Sequence, residues 1–322
     1  VGSLVTGPMS LSLGESLRAL FAGPQSGIEA HKLLIVQEIR LPRTLLCIAV
    51  GGILGLCGAV MQGLFRNPLA DPGIIGVSGG AALGAALAIV LLAPLGSHLQ
   101  SLLGLGLLPL LAFLGGALTT TLVYLLGTRE GGTSVTVMLL AGVAITALSG
   151  AVIGLLTYLA DDQMLRNLSL WQMGSLAAGK PVDVTLALLT LAALLLLFMR
   201  DANPLNALLL GEGEARHLGV NVQTLKRRLI LLTAAGVGVA VAVAGMIGFV
   251  GLVVPHLVRL LAGPNHVRLL PLSALLGAGL LLGADMLART LLAPAELPVG
   301  IITALLGAPF FIWLLVKSRR TL

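Results

Sequence analysis

Few residues in this 322-residue chain have the types and spacing that chemistry requires, and each has a structural explanation beside the chemical one. Gly174 to Lys180 reads GSLAAGK, the spacing of a GxxxxGK phosphate loop. The next residue is Pro181, where a Ser or Thr would have to ligate magnesium, and no buried strand precedes the loop. The segment is therefore read as a decoy, and no ATP hydrolysis is expected of this chain. Gly76-Val77-Ser78-Gly79 has the GxSG pattern of intramembrane serine proteases, with His256 on a later apolar stretch as the base it would need. The same glycines suit a tightly packed helical turn, and no asparagine-rich oxyanion partner accompanies His256. Cys47 and Cys57 are ten residues apart. On a helix that is ~15 Å, beyond disulfide reach and without metal-ligand spacing. With no HExxH and no Cys/His cluster, neither a catalytic residue nor a resident metal is expected.

Charge is sparse and so more informative. Asp285 is the one acidic residue away from the ends of a candidate span, and Arg289 follows it by one helical turn. A carboxylate in lipid is costly unless it binds a coupling ion or a cation. The i,i+4 spacing favours a structural ion pair, and an ion-coupled carrier loses ground. Arg40, Arg43 and Arg289 fall at the outer ends of spans. Such residues can be snorkelling anchors, or their forked guanidinium groups can receive carboxylates of an acidic soluble partner.

The elements that carry these residues follow from composition. The chain is 57% hydrophobic and 10% charged, with a mean hydropathy of +1.06. Residues 72 to 128 contain no Asp, Glu, Lys or Arg. A crossing helix needs roughly 20 apolar residues, so the chain reads as an all-α polytopic membrane protein rather than a barrel of alternating strands. Nine spans are expected, at about 40 to 64, 73 to 93, 107 to 127, 134 to 158, 182 to 199, 228 to 245, 247 to 262, 270 to 290 and 299 to 316. The stretch from Leu229 to Leu261 is the difficult case, because Gly245, Gly248, Gly251 and Pro255 interrupt it.

Counting basic residues resolves it. Two spans there put Arg66, Arg129, Arg200, Arg216, Lys226, Arg227, Arg228, Arg259, Arg268, Lys317, Arg319 and Arg320 on one side, twelve in all. The other side receives seven, Arg18, Lys32, Arg40, Arg43, Arg166, Lys180 and Arg289. The richer side is cytoplasmic by the positive-inside rule. Residues 1 to 39 then lie outside, which predicts one further helix upstream of Val1 and ten in the intact protein. Four spans on each side of the middle are compatible with an inverted repeat, although no sequence echo accompanies it.

The 42 glycines suit close helix packing in lipid. Small-xxx-small pairs occur at Gly51 and Gly55, Gly80 and Gly84, Gly150 and Gly154, and Gly279 and Gly283, and are expected to pack within one subunit. Two stretches lie outside the spans. Residues 160 to 183 are expected on the outer side. Residues 201 to 228 are expected inside, and their segment Gly211, Glu212, Gly213, Glu214, Ala215, Arg216, His217, Leu218 and Gly219 suits short surface helices that dock a partner.

The chain as a whole resembles the FecCD-type permeases of ATP-binding-cassette (ABC) importers for iron-siderophores, haem and cobalamin. The resemblance is carried by IRLPRT at 39 to 44, GAVMQGLFRNPLADPGIIGVSGGAALGA at 58 to 85, LLAGV at 139 to 143 and GEGEARHLGV at 211 to 220. It continues through GMIGFVGLVVPHLVRLLAGPNHVRLLP at 245 to 271, GADMLAR at 283 to 289 and ELPVGIITALLGAPFFIWLL at 296 to 315. It implies one transmembrane domain over 1 to 322 with the ten-span type II importer fold, the first family helix lying upstream. It implies a homodimer in the inner membrane, of a Gram-negative bacterium, with two separate ATPase subunits below, a periplasmic binding protein above, and no nucleic-acid partner.

By the same resemblance, Arg40, Arg43 and Arg289 would receive glutamates of the binding protein, and Gly211 to Gly219 would enter a cleft of the ATPase. Ser134, Val135 and Thr136 would border the inner mouth of the path. No cofactor is bound permanently: ATP acts through the partner, and cargo passes through. The haem branch is the most similar, so haem is the expected cargo, with a ferric siderophore or cobalamin as alternatives and an intramembrane protease using Ser78 and His256 as the alternative of another class. His256 and His266 would be transient axial ligands of haem iron, although both belong to motifs that the family carries whatever its cargo.

Overall fold

The computed structural model describes residues 2–7, 9, 11–21, 29–92, 106–129, 132–177, 179–293 and 295–318. Ala178 of the GSLAAGK loop, Ala93 at the end of the second expected span, and Arg319 and Arg320 of the basic tail lie outside the described residues.

The described chain is helical throughout, apart from one two-residue-by-two-residue hairpin. At the outer end, α1 (Gly2–Val5) and α2 (Leu13–Phe21) precede α3 (Ala30–Leu34), which runs through a π turn (Ile35–Arg40) into α4 (Leu41–Leu64). A 3₁₀ turn (Pro72–Ile75) leads to α5 (Val77–Leu87), extended by a π turn to Leu92, and then α6 (Leu107–Gly127). The hairpin β1 (Thr128–Arg129) and β2 (Gly132–Thr133) joins α6 to α7 (Val135–Leu159). There follow α8 (Asp162–Gln172), α9 (Pro181–Arg200), α10 (Ala202–Leu209), α11 (Glu212–His217) and α12 (Val222–Ala244). The chain ends with α13 (Val250–Ala262), α14 (His266–Thr290) and α15 (Val299–Ser318).

Every expected span meets an apolar helix, but not all are long. Among the described residues, six helices have the length and composition to cross a membrane, and three shorter apolar ones cover Val77–Leu92, Val250–Ala262 and Val299–Leu314. The first span differs from expectation by starting at Ala30 rather than near 40, and the sixth by starting at Val222 rather than near 228. In both, helix geometry continues beyond the hydrocarbon because charged residues cost nothing once the chain has left it.

The stretch at 229 to 261 is broken, as the charge count requires. Ala244 ends α12, and Gly245 and Phe249 both take left-handed φ, 70° and 69°, before α13 begins. For a bulky aromatic residue that conformation costs about 1–3 kcal/mol and needs support from its surroundings. Gly307 on α15 supplies it, since a Cβ there would collide with the Phe249 side chain. The 13 residues of α13 span only ~20 Å, less than the ~30 Å of the hydrocarbon core, and in the irregular segment before it Gly245 and Ile247 are buried, Met246 and Phe249 half-buried and Gly248 exposed. The amide of Ser175 donates to the Ala244 carbonyl at 2.8 Å, and Gly245 lies against the Trp171 carbonyl.

Helix α4 is the axis of the bundle, with 89% of its apolar window buried. Its small residues allow backbone-to-backbone crossings. A Cβ at Gly51 would overlap the Gly277 carbonyl of α14, one at Gly277 would overlap the Gly51 carbonyl, and one at Gly58 would overlap Gly251 of α13. Of the expected pairs, Gly51/Gly55 and Gly80/Gly84 are filled within the subunit, against α14 and α6. Gly150/Gly154 on α7 and Gly279/Gly283 on α14 have nothing within 4 Å, which corrects the expectation that all of them pack internally. The surface of α7 is largely open: only 22% of its window is buried.

Candidate functional site: an arginine cluster at one face and a helical surface at the other

The contacts sort the helix ends into two faces. One end of the bundle gathers the start of α4, the end of α14 and the segment 173 to 175, where Val299 and Gly300 donate to the carbonyls of Gly174 and Met173, each at 3.1 Å. The opposite end gathers the hairpin, α10, α11 and the starts of α12 and α14. This is the alternation that the charge count predicts, and the two ends are called the outer and the inner face after the sides expected for them.

On the outer face the π turn adds a residue to the helical register just before Arg40, and Arg40 and Arg43 lie one turn apart on the side facing α14. Arg43 donates from Nε to Asp285 Oδ1 at 2.9 Å and from Nη1 to Glu296 Oε2 at 2.7 Å. Arg289 reaches Asp285 Oδ2 at 3.0 Å, so a single fully buried carboxylate lies between two guanidinium groups. The ion pair expected within α14 is present, and Arg43 is a second cation that helical spacing could not reveal.

The N-terminal segment covers the cluster. Arg40 donates to the carbonyls of Leu4 at 2.6 Å, Val5 at 2.9 Å and Met9 at 2.5 Å. Arg289 donates to Ser3 Oγ at 2.8 Å and the Thr6 carbonyl at 3.1 Å, and Ser3 Oγ also meets Thr44 Oγ1 at 2.8 Å. The carbonyls that a four-residue helix leaves without intrahelical partners are thus satisfied by guanidinium donors. Arg40, Arg43 and Arg289 retain 4%, 6% and 3% of their exposure. The three arginines expected to be snorkelling anchors or to receive carboxylates of a partner are thus buried, because each has found acceptors inside the chain.

Beyond the cluster, Glu15 on α2 pairs with Lys32 at 2.9 Å. The Lys32 ammonium first, and then the backbone amide of Ser12, hold its carboxyl down at about 2.

On the inner face α10 buries Leu205 and Leu208, and α11 projects beyond it. Gly211 at φ 122° and Gly219 at φ 83° bracket α11, giving a six-residue helix with a sharp turn at each end. Only Ala215 faces inward, whereas Gly213, Glu214, Arg216, His217 and Leu218 are exposed. Behind α11, Lys226 meets Glu212 Oε1 at 2.6 Å, and Arg228 forms a short ion pair with Asp201. Ser134 caps α7 by accepting from the Val137 amide, and Ser134 and Thr136 are exposed beside half-buried Val135. Between α4 and α5, burial pushes the Asp71 carboxyl up, opposed by the Gly73 amide that donates to it at 2.7 Å.

The histidines part company. His266 is 1% exposed, and its ring Nδ1 and backbone amide both meet Asn206 Oδ1, at 2.9 and 2.8 Å. Its Nε2 edge lies against Gly63, where a Cβ would collide with it. The residue expected as a transient iron ligand is therefore a buried pin between α4, α10 and α14. His256 packs edge-on to Phe310 of α15 at 6.1 Å, and Phe310 continues to Trp313 at 5.9 Å. Ser78 lies beside Gly73 at the start of α5, in a turn that also contains Asp71. In the GSLAAGK segment, Gly174 at φ 72° lies against the Met246 carbonyl, and among the described residues it is the helix α8, not a strand, that leads into it.

Lys226, Gln223, Asn206 and Gln62 were not identified as site residues from the sequence. Gln62 donates to the Leu252 carbonyl at 3.1 Å and accepts from Arg259 at 3.0 Å. A polar residue on the buried face of a helix was the available signal.

The model of the FecCD transport family matches residues 1–317. The hemin transport system permease protein HmuU of Yersinia pestis is 48% identical over an alignment of 323 residues, covering 99% of this chain and 92% of that protein. The cobalamin import system permease protein BtuC of Halobacterium salinarum is 44% identical, covering 93% and 78%. The vitamin B12 import system permease protein BtuC of Klebsiella pneumoniae is 41% identical, covering 98% and 91%. Among solved structures, an inward-facing metal-chelate-type ABC transporter superposes with a TM-score of 0.81 at 35% identity, covering 95% of this chain and 96% of that one. PsaBC of Streptococcus pneumoniae, at a TM-score of 0.61 and 20% identity, shares the fold.

Proposed function

From membership of the FecCD transport family, to which this chain belongs across residues 1–317, we propose that this ABC-importer permease carries haem inward. Haem is favoured over cobalamin by the 48% identity to the hemin permease, against 44% and 41% to the cobalamin permeases. The observation that carries the mechanism is the projecting helix α11, bracketed by two left-handed glycines and exposing Glu214, Arg216 and His217. A helix with so little of its own surface buried is suited to a partner's cleft. The partners proposed are two ATPase subunits on the inner face, a binding protein outside and a second copy of this chain, all in the inner membrane. ATP is hydrolysed by the ATPase pair, which rocks α11 and alternates access to the path.

The second copy is supported by α7, whose open face carries Gly150 and Gly154 with nothing within 4 Å. Small residues on a lipid-facing helix allow a second backbone to approach closely. Docking of the binding protein through Arg40, Arg43 and Arg289 now requires exchange: an incoming carboxylate would take the place of Glu296, whose side chain is 38% exposed, on Arg43. Charge-assisted exchange of that kind is salt-dependent. His256 remains the proposed haem contact, its ring stacked edge-on against Phe310.

Reconstitution with the ATPase and binding protein in proteoliposomes tests the reading. ATP-dependent haem uptake that survives Ser78→Ala is expected; uptake of cobalamin or a ferric siderophore with haem excluded would overturn the cargo. For docking, Arg43→Gln should weaken binding-protein affinity and flatten its salt dependence, while Glu296→Gln should not weaken it. Equal affinity for all three forms would defeat the assignment.

A further inference from the structure

Lys226 is a buried cation with an unusual pair of acceptors. It is 2% exposed on the second turn of α12 and meets Glu212 Oε1, on the first residue of α11, at 2.6 Å. Its other contact is the backbone carbonyl of Thr133 at 3.2 Å, the last residue of the hairpin. One turn earlier on α12, Gln223 Oε1 accepts from the Thr133 amide at 3.1 Å. Both backbone polar atoms of Thr133 are thus held by one face of α12. Close packing secures the arrangement, because Gly132, at φ 116°, lies against the Gln223 side chain.

Thr133 immediately precedes Ser134, whose side chain caps α7. A continuous chain of contacts therefore runs from the projecting helix α11, through Glu212, Lys226 and Thr133, to the end of α7 at the inner face. A buried ammonium cannot be left without acceptors except at large cost. If α11 is displaced, Lys226 must follow Glu212 or lose it, and in following it draws on the Thr133 carbonyl.

We propose that Lys226 is the positioning residue that transmits displacement of α11 to the hairpin and the inner end of α7, so that ATP hydrolysis by a partner is coupled to opening at Ser134 to Thr136. This rests on the permease reading above. The alternative is that Lys226 only stabilises the fold. The two differ in stoichiometry: a stabilising residue changes how much transporter is active, whereas a transmitting residue changes how much ATP each cargo molecule costs.

The experiment uses the complete complex in proteoliposomes with haem as the probe, measuring ATP hydrolysed and haem taken up together. Lys226→Met, similar in length and apolar, should raise the ATP consumed per haem several-fold. Lys226→Arg should restore a ratio near that of the unaltered protein. A Lys226→Met complex in which both rates fall in proportion, or neither changes, overturns the proposal. Should that variant fail to assemble, Glu212→Gln removes the charge on α11 that Lys226 follows, and an unchanged ratio there overturns it equally. Failure of the unaltered complex to take up any chelate with ATP would instead refute the permease reading, a result distinct from either.

Discussion

Asp285 shows how one side chain can set the character of a whole face. Its carboxylate is fully buried and shared by Arg43 and Arg289 from different helices. Removing one member of a buried ionic network costs about 3–5 kcal/mol, because the remaining charges stay desolvated. Asp285→Asn should therefore lower the thermal midpoint of the detergent-solubilised protein sharply. Glu296→Gln should move it little, since half-exposed pairs are worth about 0–1 kcal/mol. Equal shifts for both variants would show that Arg43 is anchored elsewhere. Glu15 offers a pH test. Its carboxyl is depressed to about 2, below its ordinary 4.5, so its contribution is fully present above 4.5 and fades as pH falls toward 2. Pepsin cleavage around Leu20 and Phe21 should rise over that window in the natural protein, and Glu15→Gln should cleave readily throughout it.

At the scale of elements, the glycines separate into those that are occupied and those that are open. Gly58 admits the backbone of α13, whereas Gly279 faces open space. Gly58→Ala should sharply reduce the yield of folded protein, with backbone on both sides of the contact unable to give way, and Gly279→Ala should be tolerated. The helix break at 245 to 249 makes a similar prediction. Gly307→Ala meets the Phe249 side chain, and Phe249 is already in a left-handed conformation, so loss of stability should exceed that of an ordinary glycine substitution on a membrane helix. Gly150→Leu with Gly154→Leu should instead leave the fold intact and shift the size of the solubilised particle from dimer to monomer. A particle of unchanged mass would move the dimer contact off α7.

Across the whole molecule, the basic residues on one face and the arginine cluster on the other define a fixed orientation. Single cysteines introduced at Arg216 and Arg166 should react with a membrane-impermeant thiol reagent from opposite sides, Arg216→Cys only from within. The native Cys47 and Cys57 are buried and should stay silent. Labelling of both from the same side would remove the crossing at 182 to 199, and Arg268→Cys labelled from the side opposite to Arg216→Cys would overturn the two-span reading of residues 229 to 261.

Much of this architecture was legible beforehand for a simple reason. A bilayer demands long apolar helices and penalises charge within it, so hydropathy locates the apolar segments, and the placement of Lys and Arg gives their expected direction, without knowledge of any contact. The motif blocks from IRLPRT to the last span added the family. What lay beyond reach were the contacts between residues far apart in sequence. Arg43 and Asp285 are 242 residues apart, and Lys226 and Thr133 are 93. Helical spacing speaks only to neighbours three or four positions away, so Arg40, Arg43 and Arg289 read as open donors until packing revealed their acceptors. Likewise His266 read as a ligand until Asn206 and Gly63 enclosed it. The sequence by itself determined that this chain is a multi-pass membrane protein and where its apolar helices lie, because the bilayer acts on each segment separately. Only the tertiary structure decided which polar groups are already satisfied and which remain for partners, because that depends on which helices meet.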